Sequence, residues 1–203
     1  LQTTILGLGS GRCGTKSLAH LLNDQKDSFI THEYIDPSTG RKLISHKGTS
    51  ANISFSGNGH EKCIKNIKNR TERFRGDVGF YNLWAIDEFK EAFPDLKILV
   101  IQRDREETAQ SYNRWISGKN HWQKGKGRRH KQWDRCFPNF STDLPKLKAI
   151  GKYWDMYYKR VENLDYADWV QTGDLNNPER MKKALKALGF EDPTVKKHHK
   201  NQS

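Results

Sequence analysis

The segment TTILGLGSGRCGTKSLAHLL, residues 3–22, constrains the fold more than any other part of the chain. Thr4-Ile-Leu-Gly-Leu-Gly9 is a short apolar run of the kind that forms a strand buried on both faces. Ser17-Leu-Ala-His-Leu-Leu22 opens a helix, and the glycine-rich turn Gly9-Ser-Gly-Arg-Cys-Gly14-Thr15-Lys16-Ser17 joins the two. Such a turn aims backbone N–H groups at the helix start, where the helix dipole also favours negative charge. A strand that passes directly into a helix needs a crossover back to a parallel neighbour, which predicts an α/β domain.

The rest of the chain keeps that alternation. Strands are expected at Ser28–Tyr34, near Asp77–Tyr81, at Leu96–Gln102 and at Ala167–Thr172. Helices are expected at Glu61–Arg73, Leu83–Ala92, Glu106–Ile116, Leu144–Leu164 and Pro178–Leu188. The Tyr and Trp residues of 153–161 recur at helical spacing and read as core. Residues 36–75 and 118–141 are rich in polar, glycine and basic residues and read as loop-rich insertions in a single domain spanning 1–203. No internal repeat is evident. The whole predicts three layers, α/β/α, around a mostly parallel sheet.

The turn is almost the nucleoside-triphosphate loop G-x-x-x-x-G-K-[ST], with Thr15 standing between the last glycine and the lysine. That residue moves Lys16 and Ser17 one step along the helix, about 100° around its axis. The pair then cannot keep both the phosphate-lysine and the magnesium-hydroxyl roles. The carboxylate expected for magnesium is also displaced, since Gln102-Arg103 follows the strand and Asp104 lies beyond its end.

Counted from Arg12, the turn is Arg-Cys-Gly-Thr-Lys-Ser-Leu, which resembles the 5′-phosphosulfate loop [KR]-x-G-T-[TR]-x-L of sulfotransferases. Downstream, Ile98-Leu-Val-Ile-Gln-Arg103 followed by Ser111 is similar to that family's 3′-phosphate motif, a strand ending in Arg with Ser eight residues on. Pro94-Asp95-Leu-Lys97 before the strand, and Val170-Gln-Thr-Gly-Asp174-Leu175 followed by Leu188-Gly189-Phe190, fit the family's order. The resemblance implies a P-loop NTPase-like fold and a donor, 3′-phosphoadenosine 5′-phosphosulfate (PAPS), that leaves as adenosine 3′,5′-bisphosphate. It implies that Gly11, Arg12, Cys13, Gly14, Thr15, Lys16 and Ser17 hold the 5′ end of the nucleotide, and Arg103 and Ser111 its 3′-phosphate. Arg12 takes the place of a catalytic cation. The proton acceptor is expected at the end of the second strand, where Glu33 is favoured and His32 is the alternative. No metal is expected.

Net charge is +12, which favours anionic partners. The acceptor is accordingly expected to be anionic in character, whether saccharide, peptide or small molecule. The densest basic stretch, Gly118–Arg135, carries Trp122 and Trp133 and reads either as a solvated charge run or as a loop over an anionic ligand. The tail Lys196–Ser203 resembles the H-x-N-x-S ending of some sulfotransferases, a segment that approaches the nucleotide, and reads equally as a frayed basic end. Two other classes compete: a P-loop kinase or NTPase, and a basic nucleic-acid-binding protein with a structural glycine loop, nucleic acid being the less expected partner. No apolar run reaches the ~20 residues of a membrane span. Three scattered cysteines favour a reducing compartment, so the cytoplasm is expected, with a secretory lumen as the alternative if the sequons at Asn52, Asn69, Asn139 and Asn201 are used.

Overall fold

A computed structural model describes residues 1–41, 59–115, 122, 140 and 144–196. Five strands form one all-parallel sheet in the order β2-β3-β1-β4-β5. They are β1 (Thr3–Leu8), β2 (Ser28–His32), β3 (Phe74–Val78), β4 (Lys97–Gln102) and β5 (Asp168–Gln171). The helices are α1 (Thr15–Asn23), α2 (Gly59–Lys68), α3 (Ile86–Ala92), α4 (Arg105–Trp115), α5 (Lys146–Val161) and α6 (Pro178–Ala187). Short 3₁₀ turns occupy Phe80–Ala85 and Thr172–Asn176.

Side-chain alternation along the central strands divides the core. Ile5 of β1 and Leu99 and Ile101 of β4 face α1 and α6, packing with Leu18, Leu22, Met181 and Leu185. Leu6, Leu8, Ile98 and Val100 point the other way, towards Cys63 and Ile67 of α2, Phe89 of α3, and Tyr153, Tyr157 and Val161 of α5. Strands covered on both faces need continuous apolar runs, and β1 and β4 have them. β3 does not: Phe-Arg-Gly-Asp-Val reads as loop, and the expectation of a strand near Asp77–Tyr81 misplaces it by three residues. Its Arg75 is satisfied by Gln2 Oε1 at 2.8 Å and by the Lys68 and Arg70 carbonyls. At Gly76 a side chain would run into the Ile5 carbonyl, so only glycine lets β3 lie against β1. The preceding helix stops at Lys68, short of the expected Arg73, and both it and the start of β3 fall inside the stretch expected to be loop-rich.

Strands β1 and β4 are neighbours whose connections leave in opposite directions. From β1 the chain runs through α1 to β2 on one side, and from β4 through α4 and α5 to β5 on the other. Ligands of open parallel sheets bind beyond the strand ends at such a switch point. Here the switch point lies at the loop Gly9–Gly14, with Arg103 at the end of β4 beside it.

Candidate functional site

The loop after β1 is shaped by three left-handed residues: Gly11 at φ 83°, Arg12 at 56° and Gly14 at 94°. At Gly11 the space for a side chain is taken by the Tyr112 hydroxyl. Gly14 begins α1 with no side-chain cap, and the first turn carries no acidic residue. Helix α4 is finished in the ordinary way, with the Asp104 carboxylate accepting the Glu107 N–H at 2.9 Å and Glu106 and Glu107 in its first turn. The start of α1 therefore presents donors and a positive dipole end without the protein's own counter-charge.

Three aromatic hydroxyls and a threonine hold the loop still. Tyr112 and Tyr153 both donate to the Ser10 carbonyl, at 2.7 and 2.9 Å. Tyr158 donates to the Ile101 carbonyl at 2.8 Å and accepts the Ser10 N–H at 3.3 Å. From the far end of the chain, the Thr172 hydroxyl lies 2.6 Å from the Cys13 carbonyl and 3.1 Å from that of Gln102, bridging loop and β4. Leu175 packs where a Gly14 side chain would stand. The 171–175 segment thus has a structural reason to accompany the loop. None of these supports was expected individually, although the helical spacing of Tyr153 and Tyr158 marked them as core.

The residues expected to bind nucleotide come together from three parts of the sequence. Arg12 Nε donates to Ser111 Oγ at 3.1 Å, and an Arg103 terminal nitrogen donates to the Arg12 carbonyl at 3.3 Å. Arg103 also pairs with Glu107 at 2.9 Å, and its own carbonyl accepts the Trp154 indole N–H at 3.0 Å. The Arg12 guanidinium lies 5.8 Å from the centre of the half-exposed Trp115 ring, which sequence reasoning did not single out. Lys16 is exposed on the first turn of α1, with Thr15 and Ser17 beside it. Cys13 offers only its backbone: its side chain is buried in the core, and burial first of all pushes the thiol up to about 11, so it stays protonated.

His32 touches the start of α1, and Glu33 follows it in a turn and not in the strand. Strand β2 ends at His32, not at Tyr34 as expected, and His32–Ile35 form a tight turn. His32 Nε2 lies 3.2 Å from Thr15 Oγ1. Burial, with help from Lys16 and His20, lowers the His32 pKa to about 4, so the ring is neutral at pH 7. Glu33 is pushed the other way, to about 7, by burial and then by the Asp77 carboxylate. Burial raises the Tyr112 hydroxyl, the neighbouring Cys13 and Glu33 groups add to it, and Arg12 opposes them. Glu33 and Arg12 therefore act on one hydroxyl at the wall of the loop. Trp122, read from the sequence as part of either a solvated charge run or a loop over an anionic ligand, is fully buried against Tyr112 and Tyr153 instead. Trp133 and residues 197–203 lie outside the described residues. The described root of the tail is pinned at the far end of α1 from Gly14, where Thr194 exchanges bonds of 2.7 and 2.9 Å with Gln25.

A family model described as a sulfotransferase domain matches residues 4–185. The chain belongs to the sulfotransferase family. No curated protein matches it in sequence. A sulfotransferase from Alicyclobacillus acidocaldarius is similar in structure, with a TM-score of 0.61 at 16% identity, over 100% of this chain and 87% of that one. At that identity the likeness shows a shared fold, and the all-parallel α/β sheet agrees with it. Among the described residues no helix is long and apolar enough to cross a membrane, and no group of His, Cys, Asp and Glu is arranged to hold a metal ion.

Proposed function

We propose that this sulfotransferase takes its sulfuryl group from PAPS and passes it to a hydroxyl or amine of an anionic acceptor. One observation carries the reading: an uncapped helix start without acidic residues adjoins Arg12, which is bonded to both Arg103 and Ser111. The donor set suits a ligand with anionic groups at both ends, one of them met by backbone N–H groups at the uncapped start of α1. The loop from Gly11 to Ser17 would hold the 5′ end, and Arg103 with Ser111 the 3′-phosphate. When bound, PAPS supplies the sulfuryl group, whose bond to the phosphate oxygen breaks with both electrons left there as a bond to the acceptor forms. Arg12, permanently charged, offsets the negative charge gathering on that oxygen, and Lys16 adds a second cation. Glu33 takes the acceptor's proton, since a carboxyl titrating near 7 is matched to work at neutral pH. His32, neutral and against Thr15, fixes that hydroxyl. Buried free thiols at Cys13 and Cys63 fit a reducing compartment such as the cytoplasm.

Melting temperature tests the ligand class. Adenosine 3′,5′-bisphosphate at ~100 times its dissociation constant should add ~2.7 kcal/mol of stability, with no need of magnesium. Stabilisation by ATP with magnesium alone, or by an oligonucleotide alone, would favour the kinase or the nucleic-acid reading instead.

A further inference from the structure

The turn that closes β2 has an unusual sequence for its shape. Its central residues Glu33 and Tyr34 are both left-handed, at φ 52° and 59°, and reciprocal bonds of 2.8 and 3.0 Å between His32 and Ile35 close it. Two-residue turns with two positive φ values are ordinarily Asn-Gly or Asp-Gly. Side-chain-bearing residues persist there only when their surroundings hold them.

The surroundings here centre on Asp77 of β3, which has no exposure to solvent. Its Oδ1 accepts the Tyr34 N–H at 2.8 Å and the Thr31 hydroxyl at 2.6 Å. Its Oδ2 accepts Asn82 Nδ2 at 2.8 Å and the Tyr81 hydroxyl at 3.2 Å. Asn82 Oδ1 accepts the Tyr34 hydroxyl at 3.1 Å, so both ends of Tyr34 are tied to one cluster. The Glu33 N–H goes to the Val78 carbonyl at 3.0 Å. The groups acting on Glu33 and its cluster are Asp77 on β3, Tyr81 in the 3₁₀ turn, Tyr112 on α4 and Cys63 on α2. Next to Glu33 in the chain, His32 is acted on by Lys16 and His20 of α1.

We propose that Asp77 is the positioning residue for Glu33: it clamps the left-handed turn that carries Glu33 to the loop and faces it with a second carboxylate. The proposal rests on the reading of Glu33 as proton acceptor. Burial, working against the four hydrogen bonds, raises Asp77 itself to about 6, and its charge adds to the burial that raises Glu33. Four donors fix one carboxyl, leaving the other as the proton-exchanging partner beside the loop.

Carbon-13 NMR of glutamate side-chain carboxyls in the full chain tests this, with Glu33 assigned by the signal lost in Glu33→Gln. The wild-type signal should inflect near pH 7. In Asp77→Asn the inflection should fall by ~1 pH unit as the facing charge disappears, burial remaining the larger cause of the shift, while adenosine 3′,5′-bisphosphate still binds as to wild type. Thr31→Val removes the 2.6 Å donor to Asp77, keeps that carboxyl protonated to higher pH, and should move Glu33 the same way by less. That variant decides the matter if Asp77→Asn does not fold. A Glu33 inflection unchanged in a folded variant, or already at an ordinary glutamate value in wild type, overturns the proposal. Wild-type PAPS turnover by Glu33→Gln would instead overturn the proton-acceptor reading, and the titration would still decide whether Asp77 governs Glu33.

Discussion

Glu33→Gln should lower PAPS turnover, followed as adenosine 3′,5′-bisphosphate released, by ~10²–10⁴-fold, the usual worth of a general base. The glutamine keeps the shape of the side chain and cannot take a proton. It also removes a buried carboxyl whose pKa is raised, so the stability that wild type loses as pH climbs to about 7 should be smaller in the variant, with the burial of Asp77 still contributing its own loss. The pH profile separates this reading from its rival. A base must be ionised to act, and Glu33 is ionised above about 7, so wild-type kcat/KM should rise through that pH and level off above it. Were His32 the base, its pKa of about 4 would leave the rate flat from mildly acidic pH upwards. His32→Ala should therefore cost far less than Glu33→Gln and leave the inflection in place.

Arg12→Ala should cost ~10²–10³-fold in kcat, the scale seen when one donor to a developing negative charge is removed. Affinity for the bisphosphate product should fall less, because Arg103, Ser111 and the helix start remain. Arg12 sits at φ 56°, so alanine inherits a left-handed backbone that costs ~1–2 kcal/mol. Arg12→Gly avoids that strain, and a matching loss of kcat in both variants assigns the effect to the guanidinium. Arg12→Lys should fall between, keeping the charge while losing the planar Nε contact to Ser111 and the guanidinium's place over the Trp115 ring.

The parts of the site that could be read in the sequence are those fixed by backbone chemistry. A strand, glycines at left-handed positions and a helix start announce themselves by residue type, and Arg103 at the end of a strong apolar strand does the same. The parts that could not be read depend on contacts between distant segments. Glu33-Tyr34 has no turn propensity, so alternation carried β2 two residues too far. That turn draws its support from Asp77, Val78 and Asn82, more than forty positions away. β3 hid because its charge and glycine are excused by neighbours in β1 and after α2. Trp122 stands among lysines and so read as either solvated or ligand-facing, yet its partners Tyr112 and Tyr153 place it in the core. The tyrosine hydroxyls on Ser10 were hidden for a related reason: a residue read correctly as core can still have one polar atom that braces the loop.

The proposed function turns on recognition of an adenosine nucleotide by its 3′-phosphate at Arg103 and Ser111. Titration calorimetry with adenosine 3′,5′-bisphosphate and adenosine 5′-monophosphate, with divalent metal chelated, tests it most directly. Charge-assisted hydrogen bonds from Arg103 and Ser111 should make the bisphosphate bind ~10²-fold tighter or better, and Arg103→Ala should remove most of that preference while leaving the monophosphate unaffected. Equal affinity for the two nucleotides, or a preference untouched by Arg103→Ala, would contradict the claim.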